Sequence, residues 1–136
     1  MKLDVLSRGL LAGAALIFAS GGILHAVAYF SKAQVLIEAA NVKLFFGNEL
    51  KVLWLADSTT MIGLALIFGL FSLRPAFGSR ALLLLLALLP GATTALLYAY
   101  LGPFYAAHLL LLGTVMVVLA ALLKGRASQY TAVGAQ

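Results

Sequence analysis

What the sequence lacks narrows the class of protein before any motif is considered. It contains no cysteine, which excludes disulfide bonds, thiolate metal sites and thiol redox chemistry. Charged residues make up only 10% of its 136 residues, whereas soluble proteins average about a quarter. Hydrophobic residues make up 64%, more apolar surface than a water-soluble fold of this size could bury. The composition therefore indicates an integral membrane protein.

The formal net charge of +5 does not indicate a nucleic-acid partner, because the positive residues form no cluster. The nine Lys and Arg residues stand singly beside the ends of apolar runs, where they would meet lipid headgroups. We therefore expect membrane lipids as partners and no nucleic acid.

Four apolar runs separated by short polar links cover most of the chain. They extend over residues 9–30, 52–73, 81–101 and 105–123. A helix of about 20 residues at ~1.5 Å per residue is roughly 30 Å long, which matches the hydrocarbon core of a bilayer. The first run is longer than a signal-peptide core, so we expect a retained span. We predict one all-α domain over residues 1–136, an integral membrane four-helix up-down bundle.

Proline marks the ends of two spans and a bend in a third. The dipeptides Arg74-Pro75 and Gly102-Pro103 are predicted to end the second and third spans, the latter with a tight hairpin. Pro90 lies inside the third run, where a lost backbone hydrogen bond predicts a bend. Thr93 and Thr94 follow it, and their hydroxyls can bond the freed carbonyls.

The first link, residues 31–51, is too apolar for a solvated loop. Ser31 and Gln34 have the spacing of a capping box, which predicts a short helix starting there. We expect this helix to lie in the membrane interface and to end near Gly47, with Asn48 capping the second span. It would act either as a lid over the bundle or as an anchor in the lipid surface.

Positive residues beside the spans are distributed unevenly between the two ends of the bundle. The termini and the second link carry six of them, Lys2, Arg8, Arg74, Arg80, Lys124 and Arg126. The first link carries three, Lys32, Lys43 and Lys51, and the third link carries none. This asymmetry predicts a multi-pass protein of the inner or plasma membrane with both termini in the cytoplasm.

Three strongly ionisable side chains fall inside the predicted spans, and they lie at a similar depth. With both termini inside, His25, Asp57 and His108 are each four or five residues from the outer ends of their spans, about 6 to 7 Å. The same level carries further polar and aromatic side chains, which are Tyr29, Glu49, Trp54 and Tyr98. We therefore expect a polar layer near the outer leaflet to which all four spans contribute.

Asp57 is the most informative member of this layer. Burying its ionised carboxylate costs on the order of 2 to 3 kcal/mol, so it should face the bundle interior and pair with His25 or His108, or be protonated. Helical spacing places several residues on its face in a stripe suited to a pocket wall, namely Leu53, Trp54, Thr60, Met61 and Leu64.

Several interpretations of the layer are open. It could be structural, its polar groups satisfying one another. It could bind a lipid, an isoprenoid or another amphipathic molecule, in a non-enzymatic binding or accessory subunit, which is the function we favour. His25, His108 and Asp57 could hold haem or a transition metal. Finally, His and Asp57 could transfer protons in a membrane enzyme or a proton-coupled transporter.

Small residues recur at helical spacing in the first span, for example Gly9 and Gly13. Such residues let helices approach closely, either within the bundle or between two copies of the chain. We therefore expect self-association or other membrane subunits as possible partners.

Two families of small four-span proteins resemble this chain. The span count resembles the small multidrug resistance exporters, but their first-span glutamate is missing, and His25 is the ionisable residue there. The start of the second span resembles uncharacterised bacterial four-helix membrane proteins of the DoxX type, through Asn48, Glu49, Leu50, Lys51, Trp54 and Asp57. That resemblance implies a four-helix membrane fold and no particular activity.

Overall fold

A computed structural model describes the backbone of residues 2–133 and the side chains of residues 3–124. In this part of the chain every regular element is helical, and no strand is present. The elements are α1 (Lys2–Ala28), a π-helical turn (Tyr29–Ala33), α2 (Gln34–Ala39), α3 (Leu44–Leu73), a 3-10 turn (Pro75–Phe77), α4 (Arg80–Leu101) and α5 (Tyr105–Val133). The side chains of Lys2 and Arg126, two of the six positive residues, lie outside the described range.

Four helical segments are long and apolar enough to cross a membrane. They are Leu3–Ala39, Leu44–Leu73, Arg80–Leu101 and Tyr105–Lys124. The expectation of an all-α bundle of four long apolar helices is confirmed.

The first helix differs from the prediction because it does not end at Phe30. The chain continues from α1 through the π turn into α2, and the predicted short helix is present only as this six-residue end. Ser31 and Gln34 form no capping box, since an N-cap needs a non-helical backbone and the residue before α2, Ala33, is helical (φ −66°, ψ −37°).

The link between the first two spans is shorter than predicted and lies elsewhere. The turn falls at residues 40–43, where Asn41 has a positive φ of 49° and the amide of Ala40 donates to the Leu36 carbonyl. Asn tolerates this left-handed conformation better than most residues, so it ends the helix as a glycine would. Consequently Gly47 and Asn48 lie inside α3, and Asn48 does not cap the second span.

The proline-based boundaries are confirmed. α3 ends before Arg74-Pro75, and α4 ends before Gly102-Pro103, where Gly102 has a φ of +74°. Pro90 lies within a continuous α4 and does not break it. The nearby threonines do not bond the carbonyl that Pro90 frees. Thr93 donates to Leu89 (3.1 Å) and Thr94 to Pro90 itself (2.7 Å).

Helix packing places α1 at the centre of the bundle. Close contacts in the described chain join α1 to α3, α1 to α5 and α4 to α5. The pairs are antiparallel: at one end of the bundle the Ser7 hydroxyl donates to the Ala120 carbonyl (3.0 Å), and Arg8 and Ser72 each donate to the other's carbonyl. At the same end Lys124 donates to the Pro75 carbonyl. The core between them is mostly apolar, and its largest fully buried members are Phe18, Phe68, Leu83 and Val117.

The helices have unequal lengths, so part of the first helical pair projects beyond the second. Leu3–Ala39 has 37 residues, about 55 Å, whereas α4 has 22 residues, about 33 Å. Because Ser7 lies beside Ala120, the first turn of α5 reaches only the level of about residue 22 of α1. The π turn, α2 and the first two turns of α3 therefore form a projecting hairpin, residues 29–51. Lys51 ties it together by donating to Glu38 (2.7 Å).

Gly22 allows α1 to come close to the backbone of α3, and its replacement tests this packing. A Cβ at Gly22 would lie 2.9 Å from the Ser58 carbonyl oxygen, which belongs to backbone and cannot move aside. We expect Gly22→Ala to lower the free energy of unfolding by about 1 to 3 kcal/mol, measured by circular dichroism in detergent. The matched control is Gly63→Ala in α3, whose added Cβ would meet no described atom within 4 Å. Equal destabilisation by both substitutions would contradict the close approach.

Candidate functional site

The structure brings His25 and Asp57 together, which is one of the two pairings that the sequence predicts for Asp57. His25 Nε2 lies 3.6 Å from Asp57 Oδ2, and the two side chains are 33% and 40% exposed. Trp54 completes the group. Its ring stacks on His25 with the centroids 4.6 Å apart, and its Nε1 donates to the His25 carbonyl (3.0 Å). The imidazole therefore lies between an indole face and a carboxylate.

Local sequence explains why these side chains meet. Trp54 and Asp57 are three residues apart on α3, so they occupy neighbouring positions on one face. Gly21 and Gly22 lie one turn before His25, and they let α1 approach Met61 and Ser58 on α3. The π turn starts at Tyr29, one turn after His25, and π turns inside α-helices often occur at functional sites.

His108 belongs to a different pair. Its Nδ1 lies 2.5 Å from the Tyr98 hydroxyl, and the two rings are 5.6 Å apart, so they connect α5 to α4 rather than to α1 and α3. His108 is exposed and Tyr98 is half-buried. We expected one polar layer, whereas the structure shows two separate pairs, His25 with Asp57 and His108 with Tyr98.

The remaining predicted site residues lie in the projecting hairpin. Tyr29 is buried, with 5% of its surface exposed, and contacts Phe30 edge to face. Glu49 is exposed on α3. Neither of them lines the groove between α3 and α4.

The predicted metal ligands do not form one set. Among the described residues, no group of three or more His, Cys, Asp or Glu side chains is arranged to hold a metal ion. His25 and His108 instead have different aromatic partners, Trp54 and Tyr98. A site that uses His25, His108 and Asp57 together would need these contacts to rearrange.

A groove opens beside the His25–Asp57 pair, between α3 and α4. These two helices are not among the closely packed pairs of the described chain. The groove is small and partly open to its surroundings, with a cavity volume of about 50 Å³, below the roughly 300 to 1,000 Å³ typical of ligand sites. Its lining consists of Asp57, Thr60, Met61 and Leu64 of α3, Leu89, Pro90 and Thr93 of α4, and Leu110 of α5.

Of the five residues that helical spacing places on the face of Asp57, three line the groove, whereas Leu53 and Trp54 do not. Thr60, Met61 and Leu64, which share the face of Asp57, form its α3 wall. The α4 wall was missed, because periodicity along one helix cannot show which helix faces it. Pro90 was the available signal, since a proline in a span commonly lines a cavity or packs against neighbouring helices.

No protein family, no curated protein and no solved structure matches this chain.

The two-pair arrangement predicts that the two histidines affect Trp54 differently. This is the only tryptophan in the sequence, so its fluorescence reports on its surroundings alone. We expect His25→Leu to change the intensity and wavelength of Trp54 emission, because it removes the stacked ring. The control His108→Leu should leave both unchanged, since His108 contacts Tyr98 instead. Similar changes in the two variants would contradict the separation of the pairs.

Proposed function

We propose that this protein is a small multi-pass membrane protein that binds a small amphipathic molecule in the groove between α3 and α4. The observation that carries this proposal is the position of Asp57. Its carboxylate lines a groove that is otherwise apolar except for two threonines, and His25 holds it there. A carboxylate at such a position is costly in a membrane unless it has a use or a partner.

The groove has the composition that an amphipathic ligand requires. Met61, Leu64, Leu89 and Leu110 provide an apolar wall for a hydrocarbon body. Asp57 and Thr60 are one helical turn apart on α3, and Thr93 lines the groove from α4, so these polar groups would fix the orientation of the ligand's polar end. The opening between α3 and α4 gives a ligand dissolved in the bilayer lateral access to the groove.

In the proposed orientation both termini lie in the cytoplasm and the projecting hairpin lies outside the inner or plasma membrane. Five charged residues support this placement, because all of them fall in the projecting hairpin and would avoid the hydrocarbon core. They are Lys32, Glu38, Lys43, Glu49 and Lys51. The groove then lies below the α4–α5 turn, toward the middle of the bilayer, since Leu89, Pro90 and Thr93 are near the middle of α4.

Cysteine labelling tests the groove, since the chain has no native cysteine. Thr60 and Thr59 both donate to the Ala56 carbonyl, but only Thr60 lines the groove. In lipid nanodiscs we expect Thr60→Cys to react faster than Thr59→Cys with a small neutral methanethiosulfonate, because the groove admits water and the thiolate reacts. Decylammonium, 1-decanol or decanoate, each added separately, should protect Thr60→Cys and leave Thr59→Cys unaffected. Protection by none of the three would contradict the proposal.

Single cysteines also test the orientation. Asn41 lies in the turn of the projecting hairpin, and Ala76 lies in the 3-10 turn at the opposite end; both are exposed. We expect a membrane-impermeant maleimide to label Asn41→Cys in intact cells, and Ala76→Cys only after permeabilisation. The reverse pattern would place the termini outside.

A further inference from the structure

From the hydrogen bonds of the groove we infer that its ligand is a lipophilic ammonium ion, a protonated primary or secondary amine with a hydrocarbon body. This inference rests on the proposed function and adds the chemical class of the ligand. The ligand class is inferred from the polar atoms that line the groove and from the hydrogen bonds that these atoms already make within the protein.

The threonines of the groove present oxygen lone pairs rather than protons. The Thr60 hydroxyl donates to the Ala56 carbonyl (2.8 Å), and the Thr93 hydroxyl donates to the Leu89 carbonyl (3.1 Å). Each hydroxyl has one proton and two lone pairs. With its proton engaged in its own helix, each threonine oxygen can only accept from a ligand.

Asp57 offers further acceptors. An ionised carboxylate has no proton to donate. The 3.6 Å between Asp57 Oδ2 and His25 Nε2 is longer than a direct hydrogen bond, so lone pairs remain for another partner. The other side chains that line the groove in the described chain are apolar and lack a donor.

All polar groups of the groove are therefore acceptors, and the one formal charge among its lining residues is negative. Among the residues that line the groove, a carboxylate or phosphate ligand would meet no donor and no cation, and the neighbouring His25 Nε2 faces Asp57. A neutral alcohol would satisfy one acceptor. An ammonium group has two or three N–H donors and a positive charge, so it complements the negative charge of Asp57 and the acceptor oxygens of this groove. The apolar walls then take up the hydrocarbon body.

The ligand class is tested with four probes that share a decyl chain and differ in the headgroup. Decylammonium carries charge and donors, decyltrimethylammonium carries charge alone, 1-decanol is neutral and decanoate is negative. Each is titrated into the protein in zwitterionic lipid nanodiscs, with Trp54 emission as the readout and the probe expressed as a mole fraction of the lipid. Trp54 suits this purpose because it contacts His25, the partner of Asp57.

We expect decylammonium to half-saturate the emission change at a mole fraction at least tenfold below that of 1-decanol, with decyltrimethylammonium between them and decanoate weakest. Asp57→Asn should remove most of the tenfold advantage, whereas the same substitution at exposed Asp4 should not. In case Asp57→Asn fails to fold, Thr60→Val should weaken decylammonium a fewfold and Thr59→Val should not. Circular dichroism confirms that each variant is helical.

The outcomes separate this inference from the proposed function. Equal binding of 1-decanol and decylammonium, or tighter binding of decanoate, would overturn the ammonium assignment and leave the groove as a ligand site. An ammonium preference that survives both Asp57→Asn and Thr60→Val would also overturn the assignment. If none of the four probes changes the emission or protects Thr60→Cys, both the groove and its ligand class are wrong.

Discussion

The close approach of α1 and α3 at Gly22 is the contact on which the candidate site depends. In lipid, helices gain little from hydrophobic burial, so they associate through close packing of small residues and through hydrogen bonds to neighbouring backbones. One such contact is present at each end of this helix pair. Gly22 fits against the Ser58 carbonyl near the site, and Arg8 and Ser72 exchange side-chain to carbonyl hydrogen bonds at the other end. Both contacts fix the rotation of α1 relative to α3. Since His25 is one turn beyond Gly22, that rotation decides whether its imidazole meets Asp57.

The central position of α1 also accounts for the groove. α3 packs against one side of α1, and α5 packs against another side of α1. α4 packs against α5. α3 and α4 are therefore positioned by different partners and face each other across a gap. Pro90 lies at this gap, where its ring lines the cavity. This gap suits the polar face of α3, because a close contact with the apolar residues of α4 would leave Asp57 without a polar partner on that side.

The sequence predicts the number and type of the helices, because a run of apolar residues long enough for a bilayer is a direct physical requirement. Their ends are predicted only where backbone chemistry sets them, as at Pro75 and Gly102-Pro103. The predicted end of the first helix at Phe30 is wrong, because hydropathy indicates where the chain leaves the membrane and not where the helix ends. A helix satisfies its own backbone hydrogen bonds, so it can continue beyond the membrane boundary, here to Ala39. Likewise, depth along a span predicts that His25 and Asp57 can meet, but it gives no rotation about the helix axis. His108 is at a similar distance from the end of its predicted span, but in the structure it contacts Tyr98 instead.

The π turn at Tyr29–Ala33 links the site to the projecting hairpin. A π turn accommodates one residue more than an α turn, so it changes which residues of the helix face α3. Tyr29 and Ala33 are both buried in this turn, and α2, which follows it, still contacts α3 beyond the level of α5. The Lys51–Glu38 ion pair closes the same hairpin nearer its turn. His25 and Asp57 thus lie where a four-helix bundle becomes a two-helix hairpin. At that level fewer helices surround the pair, which leaves the side chains of His25 and Asp57 33% and 40% exposed above the apolar core.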